Sequence, residues 1–391
     1  MTVRSSSAGG PFILCLNAGS STLKASLFEA RPDGGVAEIE GRAVTVDRIP
    51  SAESLDEALL ALGVSPETDA IAAVGHRIVH GGTEFREAVR VTAAVKDAIA
   101  RLSALAPLHN PPALAALEAA EERFPGVPHV AAFDTAFFRD LPLEQVVYPL
   151  PFSWYEHWGV RRFGFHGLSH SYGSERAASM LGGPSARHRI VTLHLGNGCS
   201  ASAVVGGKPV ATTMGFTPME GLMMGTRSGS VDPGILVYAL RQGALTAREL
   251  DETLNHQSGL LGVSGVSGDF RAVTAAADQG HEQARLALAI YAARIRGAVG
   301  SLAAAMGGVD ALVFTAGVGE HAAPLRAEVC RGLEFLGALI DLDRNASASP
   351  DADVSLERSP VRILVIRARE DLVVARAARV ALDKSVSAPI E

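Results

Sequence analysis

The chain is 391 residues long, 48% hydrophobic and 20% charged, with a formal net charge of −7. That length exceeds what one hydrophobic core comfortably fills and predicts two domains, while the composition is that of a soluble globular protein. The acidic balance argues against a nucleic-acid-binding surface but leaves room for a nucleotide, which needs only a few local cations. Cys15, Cys199 and Cys330 lack metal-ligand spacing and read as reduced thiols of a cytosolic protein. Residues 1–10 form a Ser/Gly-rich tail, and the apolar run after it is too short for a signal segment. The alanine-rich stretch 284–306 carries Arg285, Arg294 and Arg296, so it reads as a buried helix rather than a membrane span. The expectation is a soluble, cytoplasmic protein with no nucleic-acid or membrane partner.

In chain order, residues 12–28 place an apolar strand (Ile13, Leu14, Leu16) before Asn17-Ala18-Gly19-Ser20-Ser21, after which alternation resumes at Leu23, Ala25 and Leu27. Ser54 to Glu57 reads as a capping box opening a short helix. Residues 70–79 read as a buried strand reaching Arg77, and a helix is expected over 92–105. Pro111 and Pro112 start the next helix. Residues 130–133 form a strand with Asp134 at its tip, flanked by Phe133, Phe137 and Phe138. Such a carboxylate is costly to bury without a partner. The aromatic, Pro-rich stretch 141–158 is the expected crossover between domains.

The second half repeats the pattern. A helix to about Leu181 precedes residues 190–205, where Ile190, Val191, Leu193 and Leu195 run into Gly196-Asn197-Gly198 and an extended segment resumes towards Gly206-Gly207. Residues 221–234 are dense in glycine and read as a functional loop. Thr246 and Glu249 cap a helix, a long helix near 281–306 leads to a strand over 310–315, and Gly317 to Glu320 reads as a turn. The last strand is expected at 361–366 and the last helix at 370–383. Either Gly-rich hairpin alone is an ordinary turn. Two copies, one per half, predict two similar domains facing each other, each with backbone N–H groups free to meet an anion.

The motif inventory narrows the chemistry. There is no GxxxxGK[ST], so a simple P-loop is excluded. The Gly317–Ala322 run imitates a dinucleotide fingerprint but lacks the fitting acid one βαβ unit later. The histidines show neither HExxH nor Cys/His pairing. The polar residues at element ends are Asn17, Lys24, Arg77, Asp134, His166, Asn197, Arg227 and Glu370. Two arginines suit a doubly anionic ligand, separated carboxylates suit Mg²⁺, and Lys, His and Arg would neutralise a transferred phosphoryl group. The set reads as phosphoryl transfer.

The segments LNAGSSTLK, GHRIVHGG, PLHNPP, FDTAF, RRFGFHG, HLGNG, MGTRSG, DFR, FTAGVGE and ARED occur in that order. Together they resemble the acetate kinase family, part of the acetate and sugar kinase, heat-shock cognate and actin superfamily. The resemblance runs from about Phe12 to the last helix. It implies an α/β fold of two duplicated βββαβαβα domains, ribonuclease H-like and actin-like, with a cleft between them. The expected domains are 1–145 completed by 371–391, and 146–370.

What the resemblance implies for chemistry is reversible transfer of the ATP γ-phosphoryl group to acetate, giving acetyl phosphate and ADP, in a homodimer. Asn17 and Glu370 match the positions of ligands to Mg²⁺, with Mn²⁺ as a substitute, and Lys24 a phosphate contact. Arg77 would hold the acetate carboxylate. Asp134 would serve as acid/base or as a metal- or water-positioning carboxylate, and the second role is favoured because an acetate anion needs no deprotonation. His166 and Arg227 would stabilise the transition state. His194, Leu195, Gly196, Asn197 and Gly198 would hold phosphates. Asp269, Phe270 and Arg271, with Gly317, Val318, Gly319, Glu320 and His321, would clasp the nucleoside. Val79, Leu108, Phe165 and Pro218 match the methyl pocket.

Four positions depart from the family's pattern. Thr22 stands where Ser is common, Phe163 where Tyr is, Ser230 where Asp is, and His321 where Asn is, the last bearing on base and phosphate-donor preference. The alternatives are a propionate or butyrate kinase of the same family, an NAD-dependent dehydrogenase using the Gly317–Ala322 turn, and a catalytically dead homologue.

Overall fold

A computed structural model describes residues 11–19, 21–66, 69–182 and 187–386. The 1–10 tail, Ser20 of the first turn and residues 387–391 lie outside the described residues. The chain divides into two compact units, Met1–Arg139 with Arg369–Glu391, and Asp140–Ala368.

In the first unit, β1 (Phe12–Ala18), β2 (Leu23–Ala30), β3 (Val36–Val46), β4 (Ile71–Ile78), β5 (Val89–Arg90) and β6 (His129–Phe133) form one sheet. Its order is β3-β2-β1-β4-β6-β5. The first three strands make an antiparallel meander, β4 and β6 join β1 in parallel, and β5 closes the edge antiparallel. The parallel strands are apolar on both faces because helices cover both. Ile13, Leu14, Val74 and Ile78 are accordingly buried. The final helix, Glu370–Val386, packs on β1, β4 and β6 of this sheet. Gly75 permits that approach, since a Cβ there would lie 2.6 Å from Val374 Cγ1.

The second unit repeats the design with β7 (Arg189–Leu195), β8 (Cys199–Val205), β9 (Lys208–Thr212), β10 (Ala311–Thr315), β11 (Ala352–Asp353) and β12 (Arg362–Val365). Its order is β11-β12-β10-β7-β8-β9, the same arrangement listed from the other edge. A meander again feeds parallel strands and an antiparallel edge. The β8–β9 connection is Gly206-Gly207, with φ of 57° and 79°, the left-handed pair that a tight hairpin demands. The protein is thus an α/β fold built twice. Helix Glu282–Met306 is long and apolar enough to cross a membrane by length and composition. Ala284, Ala287, Tyr291, Ile295, Val299 and Leu302 of this helix are buried inside the unit, at core-helix spacing.

Local expectations shift in three places. The first capping box is Ser51 with Ser54, so helix Ala52–Leu62 starts earlier and buries Leu55, Leu59 and Leu62. The second helix is Ala93–Leu102 and stops short of Leu105, ahead of Pro107. Gly317 to Glu320 is not a turn but lies in helix Ala316–His321, entered through Ala316 at φ 65°.

Candidate active site

In the first unit one row across the sheet collects polar side chains. Asn17 on β1 pairs in register with Lys24 on β2 and with Arg77 on β4. Cross-strand partners share a face, so the sheet itself aligns the three. Lys24 is exposed. Arg77 reaches along the row and past it. Its Nε and Nη2 donate to Asp134 Oδ1 and Oδ2 at 3.1 and 2.7 Å. Its Nη1 donates to Glu370 Oε2 at 2.8 Å and to Asn17 Oδ1 at 3.3 Å. Asn17 Nδ2 also donates to Glu370 Oε2, at 3.1 Å.

Asp134 is fully buried just past β6, in the 3₁₀ turn Asp134–Phe138, and Arg77 is the partner that its burial requires. Burial opposes the charge on Arg77, but Asp134 and then Glu370 outweigh it, and the guanidinium pKa rises. Two carboxylates around one arginine leave one net negative charge, and the buried Glu370 Oε1 has no hydrogen-bond partner among the described residues. That donor set, a carboxylate oxygen beside an amide, fits a hard divalent cation that takes most of its ligands elsewhere. Among the described residues, no group of three or more His, Cys, Asp or Glu side chains could hold a metal ion. Val79, just past β4, is buried, whereas Leu108 is 39% exposed.

In the second unit the expected phosphate turn is real in shape, with Gly196 N–H closing on Gly198 O at 3.1 Å. Its Asn197 lies in the turn, whereas Asn17 lies within a strand; the second-unit residue at the position of Asn17 is His194, sixth in β7. His194 pairs across the sheet with Ser200 and Thr315. His166 stacks on His194 at 4.0 Å between centroids. His166 holds φ at 56°, a left-handed conformation that costs a non-glycine residue energy and marks a constrained position. A Cβ at Gly198 would lie 2.7 Å from Arg227 Nη2 and 3.4 Å from His166 Nε2, so only glycine lets both side chains close over this backbone.

Arg227 differs from Arg77. Its Nη1 donates to Pro218 O at 2.6 Å, and among the described residues it has no carboxylate partner. Burial therefore lowers its pKa. Ser230 Oγ accepts from Gly221 N–H at 3.0 Å. Phe165 is buried and Pro218 half-buried.

A cavity of about 1290 Å³ in this unit is lined by Gly196, Asn197, Asp269, Phe270, Arg271, Gly317, Val318 and His321, with Leu260, Leu288 and Leu325 supplying apolar wall. Mostly apolar walls with a few polar groups suit a small-molecule ligand. The cavity wall does not include five other expected nucleotide contacts of this unit. His194 lies against His166, Leu195 is buried, and Gly198 is covered by Arg227. Gly319 packs on the Phe314 and Leu193 backbone, and Glu320 Oε1 accepts from Ala368 N–H at 2.8 Å.

Several supporting residues escaped the sequence reading. Buried Asn110 brackets His80, accepting from its N–H at 3.1 Å and donating to its carbonyl at 3.0 Å, and so holds the segment after Val79. Arg162 donates to Glu220 at 2.8 Å and to the Thr213 and Met214 carbonyls, and Glu220 also bonds Tyr148, bracing the loop that carries Pro218. Arg326, fully buried, holds the Gly319 and Glu320 carbonyls at 2.9 and 2.8 Å. The PLHNPP and RRFGFHG segments flagged two of these neighbourhoods; nothing local marked Arg326.

Comparison with known proteins shows the family. A family model described as the acetokinase family matches residues 44–376. An acetate kinase of Cyanothece sp. is 47% identical over 395 residues, covering 93% of this chain and 97% of its own. The crystal structure of Porphyromonas gingivalis acetate kinase superposes with a TM-score of 0.83 at 38% identity, covering 95% of this chain and 100% of that one. A propionate kinase structure from Francisella tularensis gives a TM-score of 0.83 at 35% identity, covering 94% and 99%. With the matched region spanning most of its length, the chain belongs to the acetokinase family.

Proposed function

We propose that the protein transfers the γ-phosphoryl group of ATP to acetate, reversibly, giving acetyl phosphate and ADP. The observation that carries this reading is the 47% identity to an acetate kinase along 93% of the chain. An acetate oxygen attacks the γ-phosphorus as the bond to the β,γ-bridging oxygen breaks, and the electron pair leaves with ADP. Both reactants are anions, so charge compensation and alignment dominate the barrier.

Arg77 is the group for the acid's carboxylate, oriented by Asp134. Both Asp134 oxygens face the Arg77 guanidinium, which favours a positioning role over a base. Arg227 and His166, closing over Gly198, suit the equatorial oxygens of the phosphoryl group in flight. The cavity beside Asp269–Arg271 and Val318 suits the nucleoside. Asn17 and Glu370 would hold Mg²⁺, supported by a Glu370 Oε1 that has no hydrogen-bond partner among the described residues. When bound, that cation would neutralise charge on the phosphate chain.

A homodimer is proposed from helix Pro233–Arg241, which buries none of its residues and exposes Ile235, Val237, Tyr238 and Leu240. Three buried, unbridged cysteines support a reducing, cytoplasmic setting.

Trapping acetyl phosphate as its hydroxamate from ATP, Mg²⁺ and acetate tests the activity; no product sinks it. The likeness to a propionate kinase favours one second reading, a larger acid. Steady-state efficiencies on acetate, propionate and butyrate decide between them, and the highest value identifies the substrate.

A further inference from the structure

Behind His166 lies a chain of buried polar groups that the phosphoryl-transfer reading does not use. His166 Nδ1 meets Ser200 Oγ at 2.9 Å. The same hydroxyl meets His170 Nε2 at 2.7 Å, and His170 Nδ1 meets Thr192 Oγ1 at 2.6 Å. Thr192 Oγ1 donates to Ser202 O at 3.4 Å. Ser200, His170 and Thr192 are all fully buried.

We propose that Ser200 is the positioning residue of His166, passing on a hydrogen-bond direction set at Thr192. The assignment follows by counting protons, since each hydroxyl has one to give. Thr192 spends its proton on the Ser202 carbonyl, so it accepts from His170 Nδ1–H. Burial, then the neighbouring His194, holds the His170 pKa well below its ordinary value, so that ring is neutral and its Nε2 accepts. Ser200 therefore donates to His170 and accepts from His166 Nδ1–H. This fixes the His166 ring plane and keeps Nδ1 protonated whether Nε2 carries a proton or not.

The consequence concerns Nε2, the nitrogen beside Gly198 and Arg227. Protonation there leaves the Ser200 bond intact, so His166 can become an imidazolium without reorienting. The groups facing it are His194, stacked on its ring, His170 behind Ser200, and Arg227 across Gly198. The Arg227 cation opposes that charge, and an anionic phosphoryl oxygen near Nε2 would offset it. The proposal rests on the phosphoryl-transfer role of His166, but its geometric half is independent of that role.

Selective ¹⁵N-histidine labelling of the full-length chain reads the tautomers, with His170 and His166 signals assigned by their loss in H170Q and H166Q. The expected result is His170 protonated on Nδ1 only, and His166 Nδ1 protonated throughout its titration. Ser200→Ala should lower kcat by roughly tenfold or more while the KM values for ATP and acetate stay within about threefold. It should also release the His166 Nδ1 signal. A His170 protonated on Nε2 in the unmodified protein, or a Ser200→Ala enzyme with unchanged kcat, overturns the proposal. If the unmodified protein makes no acetyl phosphate, the functional reading fails, whereas the tautomer measurement still decides the hydrogen-bond direction.

Discussion

Arg77 and Asp134 stand 57 residues apart in the chain yet meet in a two-pronged pair, with Nε to Oδ1 at 3.1 Å and Nη2 to Oδ2 at 2.7 Å. The planar fork and the carboxylate match in geometry, and the fully buried Asp134 is thereby compensated. The same guanidinium spends Nη1 on Glu370 and Asn17. One arginine thus ties the row across the first sheet to the start of the last helix.

Asp134→Ala should lower turnover by orders of magnitude and cost about 3–5 kcal/mol of stability, because it frees a buried guanidinium from its main partner. Kinetics and urea melts check both halves. A variant with normal kcat would remove Asp134 from the machinery.

Arg227→Ala is expected to behave oppositely in stability. Its guanidinium is buried without a carboxylate partner among the described residues, so removing it should leave the urea midpoint unchanged or raise it. Turnover should fall by roughly a thousandfold, the scale of an arginine that acts on phosphoryl transition-state charge. Near-normal turnover would contradict the assigned role.

Glu370→Gln should raise the Mg²⁺ concentration for half-maximal activity by about tenfold, since the neutral amide replaces the carboxylate whose Oε1 has no partner among the described residues. Titration of activity against Mg²⁺ at saturating ATP reads this. An unmoved midpoint argues for another metal ligand.

Val79→Ala should shift selectivity towards propionate by roughly tenfold with little change in the nucleotide KM, one methylene being worth about 1–3 kcal/mol in an apolar pocket. Efficiencies on the two acids give the ratio directly. A ratio unchanged within error would exclude Val79 from the acid pocket.

Stability should also fall with acid in a defined window. Burial lowers the pKa of His76, His129 and His170, and pushes His80 down to about 4. Unfolded histidines titrate near about 6.5, so below that pH the unfolded chain binds more protons than the native one. Stability is full above about 6.5 and declines as pH drops towards about 4, with His80 alone contributing on the order of 3 kcal/mol across the window. Urea midpoints between pH 7.5 and pH 4.5 would show it, and a flat profile would mean that the burial is relieved in solution.

Much of this was written locally. The two Gly-rich hairpins, the cap at Thr246 and the prolines opening helix Asn110–Arg123 all follow from short-range pattern, because turns and helix ends are decided by φ preference and nearby donors. The cost of burying Asp134 among phenylalanines even announced that a partner must exist. Other features were not local. Glu370 lies 293 residues from Arg77, and Ser200 reaches His166 and His170 only because β8 lies in register beside β7 under helix Gly167–Leu181. The short helix at Ala316 was masked by glycines that read as a turn, and it is held by Arg326, a cation that no motif marks. The sequence by itself determined which polar residues stand at strand ends and where the two Gly-rich hairpins turn. Only the tertiary structure decided that Arg77 is spent on two acids while Arg227 has none among the described residues, since the charge a buried group feels depends on neighbours that chain separation does not reveal.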